Sequence, residues 1–423
     1  MATPLTLHLY AAAGLLLTPF AKRILRRRLA RGKEHPERLD ERLGRPGQAR
    51  PAGFLVWLHA ASVGETMSIL PLIGRLAARG LPVLLTTGTV TSAELAARRL
   101  PAGALHQFVP IDLPGPVRRF LDHWRPDLAL FCESELWPGL MRAVQARGVP
   151  LGIVNGRMSA RSARAWQRLP GTARALLGDL ALCLGQSAED AARYRALGAP
   201  AEAIGNLKFD VPPLPVEARA RAALDAAIAG RPVLLAASTH PGEEEIVLRA
   251  AERLRATHPA LLTVLAPRHP GRSAELAALC AAHGEAPAIR SLGALPGPET
   301  RIYLADTLGE LGLFYALATL AFVGGSLVPI GGHNPIEPVK LGAPVLHGPE
   351  IANFRDVYAA LAGAGGAIAV ADAASLAEEA ARLLADPAAC RRLADAAREV
   401  VARSEGALAR TLAALAPLLP EPG

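Results

Sequence analysis

Two glutamates in short stretches of small residues are the side chains best suited to chemistry in this sequence. The stretch Trp57-Leu-His-Ala-Ala-Ser-Val-Gly-Glu-Thr66 leaves an apolar run of strand length and arrives at Glu65, a carboxylate that could take the proton from an attacking hydroxyl. Read for structure alone, Glu65 is a first-turn carboxylate of the kind a helix dipole favours. The stretch Glu133-Ser-Glu-Leu-Trp-Pro138 closes another apolar run. If it is extended, Glu133 and Glu135 share a face and could hold an acceptor hydroxyl or a cation. Arg157, in Asn155-Gly-Arg-Met-Ser-Ala-Arg161, and Lys208, in Gly205-Asn-Leu-Lys-Phe-Asp210, add positive charge suited to a phosphate or carboxylate. Ser62 lies in Ser-x-Gly-Glu, not in the Gly-x-Ser-x-Gly turn of a hydrolase, so it is not read as a nucleophile. It stands with Glu135, Arg157, Lys208, Ser238 and His240 as a possible substrate contact.

A second concentration lies in Phe322-Val-Gly-Gly-Ser-Leu-Val-Pro-Ile-Gly-Gly-His-Asn-Pro-Ile-Glu-Pro338. Its glycine pairs, at Gly324-Gly325 before Ser326 and at Gly331-Gly332, let the backbone turn with nothing projecting above it. Asn334 followed by Pro335 is a helix-start signature. The N–H groups and positive dipole end of such a helix favour a phosphate, and Glu337 in its first turn could reach a sugar hydroxyl. Tight packing of a strand-to-helix turn is the purely structural alternative. Three further stretches, Ser238-Thr-His-Pro-Gly-Glu243, Pro267-Arg-His-Pro270 and Thr307-Leu-Gly-Glu-Leu311, close other runs with hydroxyl, cation or carboxylate. His59, His240, His269, His333 and His347 have no ligand partner at i+3 or i+4, so no metal site is expected.

These stretches need a scaffold that gathers strand ends. Apolar runs at residues 54–58, 82–85, 128–131, 151–154 and 180–184 alternate with Ala-, Leu- and Arg-rich segments of helical length. That rhythm predicts a parallel sheet covered on both faces. Val211-Pro-Pro-Leu-Pro215 is a stiff connector, after which the rhythm restarts at residues 232–236 and continues through 261–266, 302–304, 320–323, 344–346 and 367–370. The expected organisation is an N-terminal segment over residues 1–33, a first α/β domain over 34–210, a connector at 211–216 and a second α/β domain over 217–423. Doubly wound domains in tandem are expected to bind ligand in a cleft at the carboxyl edges of their sheets.

With 51% hydrophobic and 20% charged residues, the 423-residue chain is not disordered, and at 4% aromatic residues it has little with which to stack nucleic-acid bases. The net charge of +8 points to an acidic partner. Much of it is local: Lys22, Arg23, Arg26, Arg27, Arg28, Arg31 and Lys33 follow a stretch, residues 1–21, that has no charged side chain. The apolar part, residues 5–20, is at the short end of what spans a bilayer, and Pro19 interrupts it. Positive charge after the apolar run is the pattern of an anchor whose downstream side stays cytoplasmic, rather than of a cleaved signal peptide. Cys132, Cys183, Cys280 and Cys390 are far apart, without CxxC spacing, which fits a reducing compartment.

Residues 57–66, 133–138, 155–159, 205–210, 238–244, 267–270, 306–311 and 322–337 together, in this order, resemble the motifs of bacterial 3-deoxy-D-manno-octulosonic acid (Kdo) transferases acting on lipid A. The N-terminal segment is similar as well. The resemblance implies a GT-B fold, two Rossmann-like domains facing a central cleft, and an inverting glycosyltransferase that moves Kdo from CMP-Kdo to the lipid A precursor without a metal or other cofactor. The site of action would be the cytoplasmic face of the inner membrane of a Gram-negative cell. By position in the motifs, Glu65 becomes the proton acceptor and Glu133 the second important acid. CMP contacts fall on Pro267 and Arg268, on Leu308, Gly309 and Glu310, on Gly325 and Ser326, and on Asn334, Pro335, Ile336 and Glu337. Gly139 departs from the pattern, because relatives often have Asn after Trp-Pro. The motif residues by themselves would also suit a UDP-sugar transferase of the same fold, or a membrane-tethered nucleotide-binding module without turnover.

Overall fold

The computed structural model describes residues 4–421, which divide into two compact units. The first comprises residues 4–211 and 404–421, and the second residues 212–403. Each is built on a seven-stranded sheet in which every pairing is parallel.

In the first unit the strands are β1 (Val56–His59), β2 (Val83–Thr87), β3 (Ala104–Phe108), β4 (Leu128–Cys132), β5 (Leu151–Gly156), β6 (Leu182–Gly185) and β7 (Ala201–Ala203), in the order β3-β2-β1-β4-β5-β6-β7. β1, β2, β4, β5 and β6 are buried along their whole length, as unbroken apolar runs between helical layers should be. The chain reverses its direction of winding between β1 and β4, and in such sheets ligands lie outside the carboxyl ends of the strands at that point. Trp57 anchors β1 there: its ring packs 4.8 Å from Phe120 and 5.3 Å from Phe131, centroid to centroid, and its indole N–H donates to Thr86 Oγ1 at 2.9 Å. Burial of one such side chain is worth about 1.5–3 kcal/mol.

The second unit holds β8 (Val233–Thr239), β9 (Leu262–Pro267), β10 (Ala288–Ile289), β11 (Ile302–Leu304), β12 (Leu320–Val323), β13 (Val345–His347) and β14 (Ala367–Ala369), in the order β10-β11-β9-β8-β12-β13-β14. Its winding reverses between β8 and β12.

The structure departs from the sequence reading at the C-terminal end and keeps the expected interruption at Pro19. The second domain was expected to run to residue 423, but the helix Ala407–Leu415 returns to the first unit, where Ala407, Leu412 and Leu415 share a core with Ile204 and Leu207. Asp210 clamps it by accepting from the N–H groups of Gly406 at 2.6 Å and Leu408 at 2.9 Å, and Arg410 Nε donates to Ile204 O at 2.7 Å. At the other end, the apolar segment is a helix, Leu5–Leu17, a single turn, Thr18–Phe20, and a second helix, Ala21–Leu29. Pro19 sits in the break. No helix among the described residues is long and apolar enough to cross a membrane. The first helix lies on the first unit by Leu7 and Gly14 and leaves Leu5, Leu9, Leu15, Leu16 and Leu17 exposed.

Candidate active site

In the first unit the carboxyl edge gathers three glutamates around the β1–β4 switch point. Ser62 caps the helix Val63–Ala77, accepting from Glu65 N–H at 3.3 Å, so the helix begins at once despite Pro71 within it. The Glu65 carboxylate folds back and accepts from Ala61 N–H at 2.7 Å and from the Ser62 hydroxyl at 2.9 Å. Ser62, expected as a substrate contact, is engaged on both sides in positioning Glu65. Burial pushes the Glu65 carboxyl up to about 7, with Glu135 and then Glu133 adding to the rise against the Ala61 and Ser62 donors. A carboxylate balanced near neutral pH can take a proton in one step and release it in the next.

Glu133 follows β4 with a φ of 53°, in the left-handed region that non-glycine residues avoid. Asn155, at the end of β5, and Ser238, at the end of β8, are held likewise, at 51° and 56°. Strained backbone gathered on strand ends is characteristic of sites in which a side chain must be aimed. Lys208 Nζ stands 3.0 Å from Glu133 Oε1, so the cation expected to meet substrate is paired inside the unit. Asn155 Oδ1 accepts from Leu207 N–H at 2.9 Å and thereby fixes the turn that carries Lys208. Glu135 accepts from the Trp137 indole at 2.6 Å and lies 3.8 Å from His59 Nε2. Burial alone would raise the Glu135 carboxyl, but the His59 ring and the Trp137 donor outweigh it and hold it below the usual carboxylate range. Arg157 sits beyond β5, where its N–H donates to Glu133 O at 3.4 Å.

In the second unit the same edge carries basic groups. Arg268 follows Pro267, the last residue of β9. Its backbone N–H donates to Thr239 O at 2.9 Å while its side chain is exposed, without a hydrogen bond or ion pair among the described residues. Arg272 and Arg290 are both tied to glutamates, at 2.7 and 2.6 Å. His240 Nε2 lies 2.9 Å from His333 Nε2, and His269 packs edge-on to His240 at 5.9 Å. Burial first, then His240, Arg268 and His269, press the His333 ring down to about 4. This edge is suited to an anion.

The glycine-rich loop is organised differently from the sequence expectation. Glu243, fully buried, accepts from the N–H groups of Gly325 at 2.7 Å, Ser326 at 2.9 Å, Leu327 at 2.9 Å and His240 at 2.9 Å. The amides of Gly325 and Ser326, two residues expected among the CMP contacts, thus hold an internal carboxylate. Ser326 is itself fully buried, its hydroxyl donating to Val323 O at 2.5 Å and accepting from Gly348 N–H at 2.8 Å. Gly325 is obligatory: its φ is 66°, and a Cβ there would lie 3.0 Å from the His333 ring. The helix expected after Asn334 is present and short, Ile336–Lys340, and its dipole is correspondingly small. Pro335 has no N–H, and that of Ile336 goes to Asn334 Oδ1 at 3.1 Å. Arg268 therefore carries the positive charge of this edge. Asn334 also approaches Glu337 Oε1 at 3.4 Å. Past β11, Glu310 is held by Arg290 and by the Thr307 hydroxyl at 2.5 Å, so its carboxylate braces a loop whose tip, Leu308 and Gly309, is open.

Sequence reasoning weighed His59 only as a metal ligand, gave Glu243 no role and passed over Arg290. A glutamate in the first turn after each sheet's first strand was visible in the sequence; its set of donors was not.

Two doubly wound parallel sheets, each with reactive side chains collected at its carboxyl edge, define a two-domain protein with a GT-B-like fold. A glycosyltransferase from Rickettsia africae shares that fold, with a TM-score of 0.56 over 88% of this chain and 100% of the other at 11% identity. The chain belongs to the 3-deoxy-D-manno-octulosonic acid transferase family. Residues 37–211 match the family model described as 3-deoxy-D-manno-octulosonic-acid transferase (kdotransferase). The 3-deoxy-D-manno-octulosonic acid transferase of Bordetella pertussis is 42% identical over 386 residues, which cover 88% of this chain and 90% of the relative. That of Haemophilus influenzae is 36% identical over 391 residues, covering 90% and 92%.

Proposed function

We propose that the protein moves Kdo from CMP-Kdo to a hydroxyl of the lipid A precursor lipid IVA in lipopolysaccharide synthesis, with inversion at the anomeric carbon. The observation that carries this reading is Glu65, a half-buried carboxyl held near neutrality by burial and by two neighbouring carboxylates at the switch point of its sheet. Glu65 takes the proton of the acceptor hydroxyl as that oxygen bonds to the anomeric carbon. The bond from that carbon to the CMP phosphate breaks, and CMP leaves with the electron pair. Arg268, exposed and unpaired among the described residues, supports the charge developing on the phosphate. Leu308, Gly309 and the Asn334–Glu337 segment supply base and ribose contacts. With Arg268 as the charge partner, turnover is expected to persist in a chelator.

The acceptor is drawn to the protein by its N-terminal segment, which we place on the cytoplasmic face of the inner membrane. Exposed leucines of the Leu5–Leu17 helix adjoin the exposed cations Lys22, Arg23, Arg26, Arg27, Arg31 and Lys33. An apolar face lying in the interface next to cations worth about 1 kcal/mol each is suited to an anionic lipid surface.

The test is Glu65→Gln, which keeps the size and one acceptor of the side chain but cannot take a proton. Release of CMP from CMP-Kdo in the presence of lipid IVA should fall by about 10²–10⁴, the usual contribution of a general base, while calorimetric binding of CMP is unchanged. Near-normal turnover, or lost CMP binding, would refute the assignment. In the unaltered protein the rate should rise with pH and level off above about 7, since only ionised Glu65 accepts the proton.

A further inference from the structure

Residues 136–178 contain no aspartate or glutamate, so the arginines in this stretch find no acid close by in sequence. Arg142, Arg147 and Arg157 are nevertheless engaged within the fold, Arg142 with Gln145 at 3.2 Å and Arg147 with Asp122 at 2.6 Å. Arg161, Arg164 and Arg168 are not. They are exposed, and their side chains have no hydrogen bond or ion pair among the described residues. At i, i+3 and i+7 on the helix Ala160–Gln167 and its C-terminal cap, they share one face. The opposite face carries Ala163, which is buried, and Trp166, which packs on the core. A ridge of three cations is therefore turned to solvent.

Each end of the ridge adjoins a region already described. At its start Ser159 caps the helix, accepting from Ser162 N–H at 3.1 Å, two residues after Arg157, whose backbone N–H meets Glu133 O at the carboxyl edge. At its end Leu169 is exposed, and the next helix, Pro170–Leu177, receives the start of the N-terminal helix. There the Thr6 and Thr172 hydroxyls hydrogen-bond and Pro4 lies against Gly171, while Leu5 and Leu9 stay exposed. Cations and apolar side chains thus continue from one element to the other, a combination suited to the boundary between lipid headgroups and acyl chains. The acids on the neighbouring helix, Ala188–Ala196, are already answered: Glu189 by Arg193, and Asp190 by Met158 N–H and the Ser187 hydroxyl. Neither neutralises the ridge.

We propose that Arg161, Arg164, Arg168 and Leu169 form a second contact of the first unit with an anionic lipid bilayer, beside the N-terminal helix. The charges stand on an open helix face, where each can meet a separate headgroup phosphate. A lipid surface suits the ridge better than a nucleic acid, because its end carries exposed leucines and its face has no aromatic ring on which a base could stack. Resting on two elements, the first unit is oriented as well as anchored: the carboxyl edge that holds Glu65 and Glu133 lies beside the leaflet that carries the acceptor. The inference rests on the membrane placement of the N-terminal segment proposed above.

Vesicle sedimentation of the full-length protein tests this. Arg161→Gln/Arg164→Gln/Arg168→Gln should bind vesicles of phosphatidylcholine and phosphatidylglycerol about a hundredfold more weakly, at about fivefold per cation, and vesicles of phosphatidylcholine alone as before. The control, Arg75→Gln/Arg79→Gln/Arg98→Gln, removes the same charge from exposed arginines at or just past the C-terminal ends of the helices Val63–Ala77 and Val90–Arg99. Held away from the lipid and screened by salt, those charges should alter binding by less than about threefold. Unchanged binding of the first triple overturns the proposal, and so do equal losses in the two triples, since net charge rather than contact would then set the affinity. A loss that appears only when lipid IVA is added to phosphatidylcholine vesicles assigns the arginines to the acceptor's own phosphates and overturns it as well. If the first triple does not fold, Arg164→Gln alone decides, with an expected loss of about fivefold. The N-terminal helix is checked separately by Leu9→Gln/Leu16→Gln, which should weaken binding to both kinds of vesicle. Undiminished binding there defeats the placement of that helix, whereas the ridge is judged by its own triple.

Discussion

The first strand of each sheet leads into a helix that opens with a glutamate, and the two glutamates have opposite fates. Glu243 is fully buried and accepts four backbone N–H groups, tying the loop after β12 to the end of β8. Glu65, at the matching place after β1, has one backbone N–H, one hydroxyl and two carboxylates for neighbours. A carboxylate saturated with donors holds a fold together. One with few donors and like charges beside it is poised for proton transfer, at a cost in stability. The same topological position thus serves architecture in one unit and chemistry in the other.

Removing the two carboxylates should push stability in opposite directions. Glu243→Ala leaves the buried N–H groups of Gly325 and Ser326 and the half-buried ones of His240 and Leu327 unpaired, and at about 1–3 kcal/mol for each buried group should destabilise the second unit by at least about 2 kcal/mol in denaturant unfolding. A loss under about 1 kcal/mol would mean that the loop does not depend on Glu243. Glu65→Gln should do the reverse. Its carboxyl rises from 4.5 to about 7 on folding, so its contribution is favourable below pH 4.5 and is lost as pH climbs through 7. The substitution should therefore stabilise the protein by on the order of 2 kcal/mol at pH 8, with the gain vanishing toward pH 4.5. Equal stability at both pH values would remove the contrast between the two glutamates.

The units also differ in the sign of their edges, carboxylates in the first and Arg268 with histidines in the second. Arg268→Ala should weaken CMP binding by about tenfold, the scale of one charge-assisted hydrogen bond, without changing the fold. Calorimetry with CMP and with cytidine separates the terms, because only the phosphate-bearing ligand should lose affinity. A loss shared by cytidine would assign Arg268 to the nucleoside instead.

How much of this could be read in the sequence follows from what burial writes into residue types. Strands buried on both faces are continuous apolar runs, and eleven of the fourteen were expected. The other three, β3, β7 and β10, are all sheet edges, short or carrying polar residues such as His106, Gln107 and Glu202, so no run marks them. The tail's helical periodicity was visible, but a periodicity does not say which core receives it, and the Asp210 clamp that returns residues 404–423 to the first unit is a contact 196 residues apart. At the site, residue types at strand ends could be read directly. Partner assignment could not: Glu243 took the amides of the Gly325 loop, and Lys208 took Glu133, because both are long-range pairings without a local signature.

Gly139 extends the contrast to a third carboxylate at a helix start. Asp112 accepts from Gly139 N–H at 2.9 Å and Leu140 N–H at 2.6 Å, capping the helix Pro138–Gln145 from outside, and takes the Tyr10 hydroxyl at 2.7 Å from the Leu5–Leu17 helix. A Cβ at Gly139 would fall inside contact distance of the Asp112 carboxylate. Gly139 is therefore matched to an acid that crowds the space a side chain would take. Gly139→Ala should displace Asp112 and destabilise the first unit by about 1 kcal/mol, the low end for overpacking, because a carboxylate can give way where backbone cannot. Since Asp112 braces structure as Glu243 does, turnover per folded molecule should stay within about twofold while the unfolding midpoint falls. A large drop in turnover at unchanged stability would instead place the 112–139 contact on the acceptor's path, and Asp112 with the chemistry of Glu65.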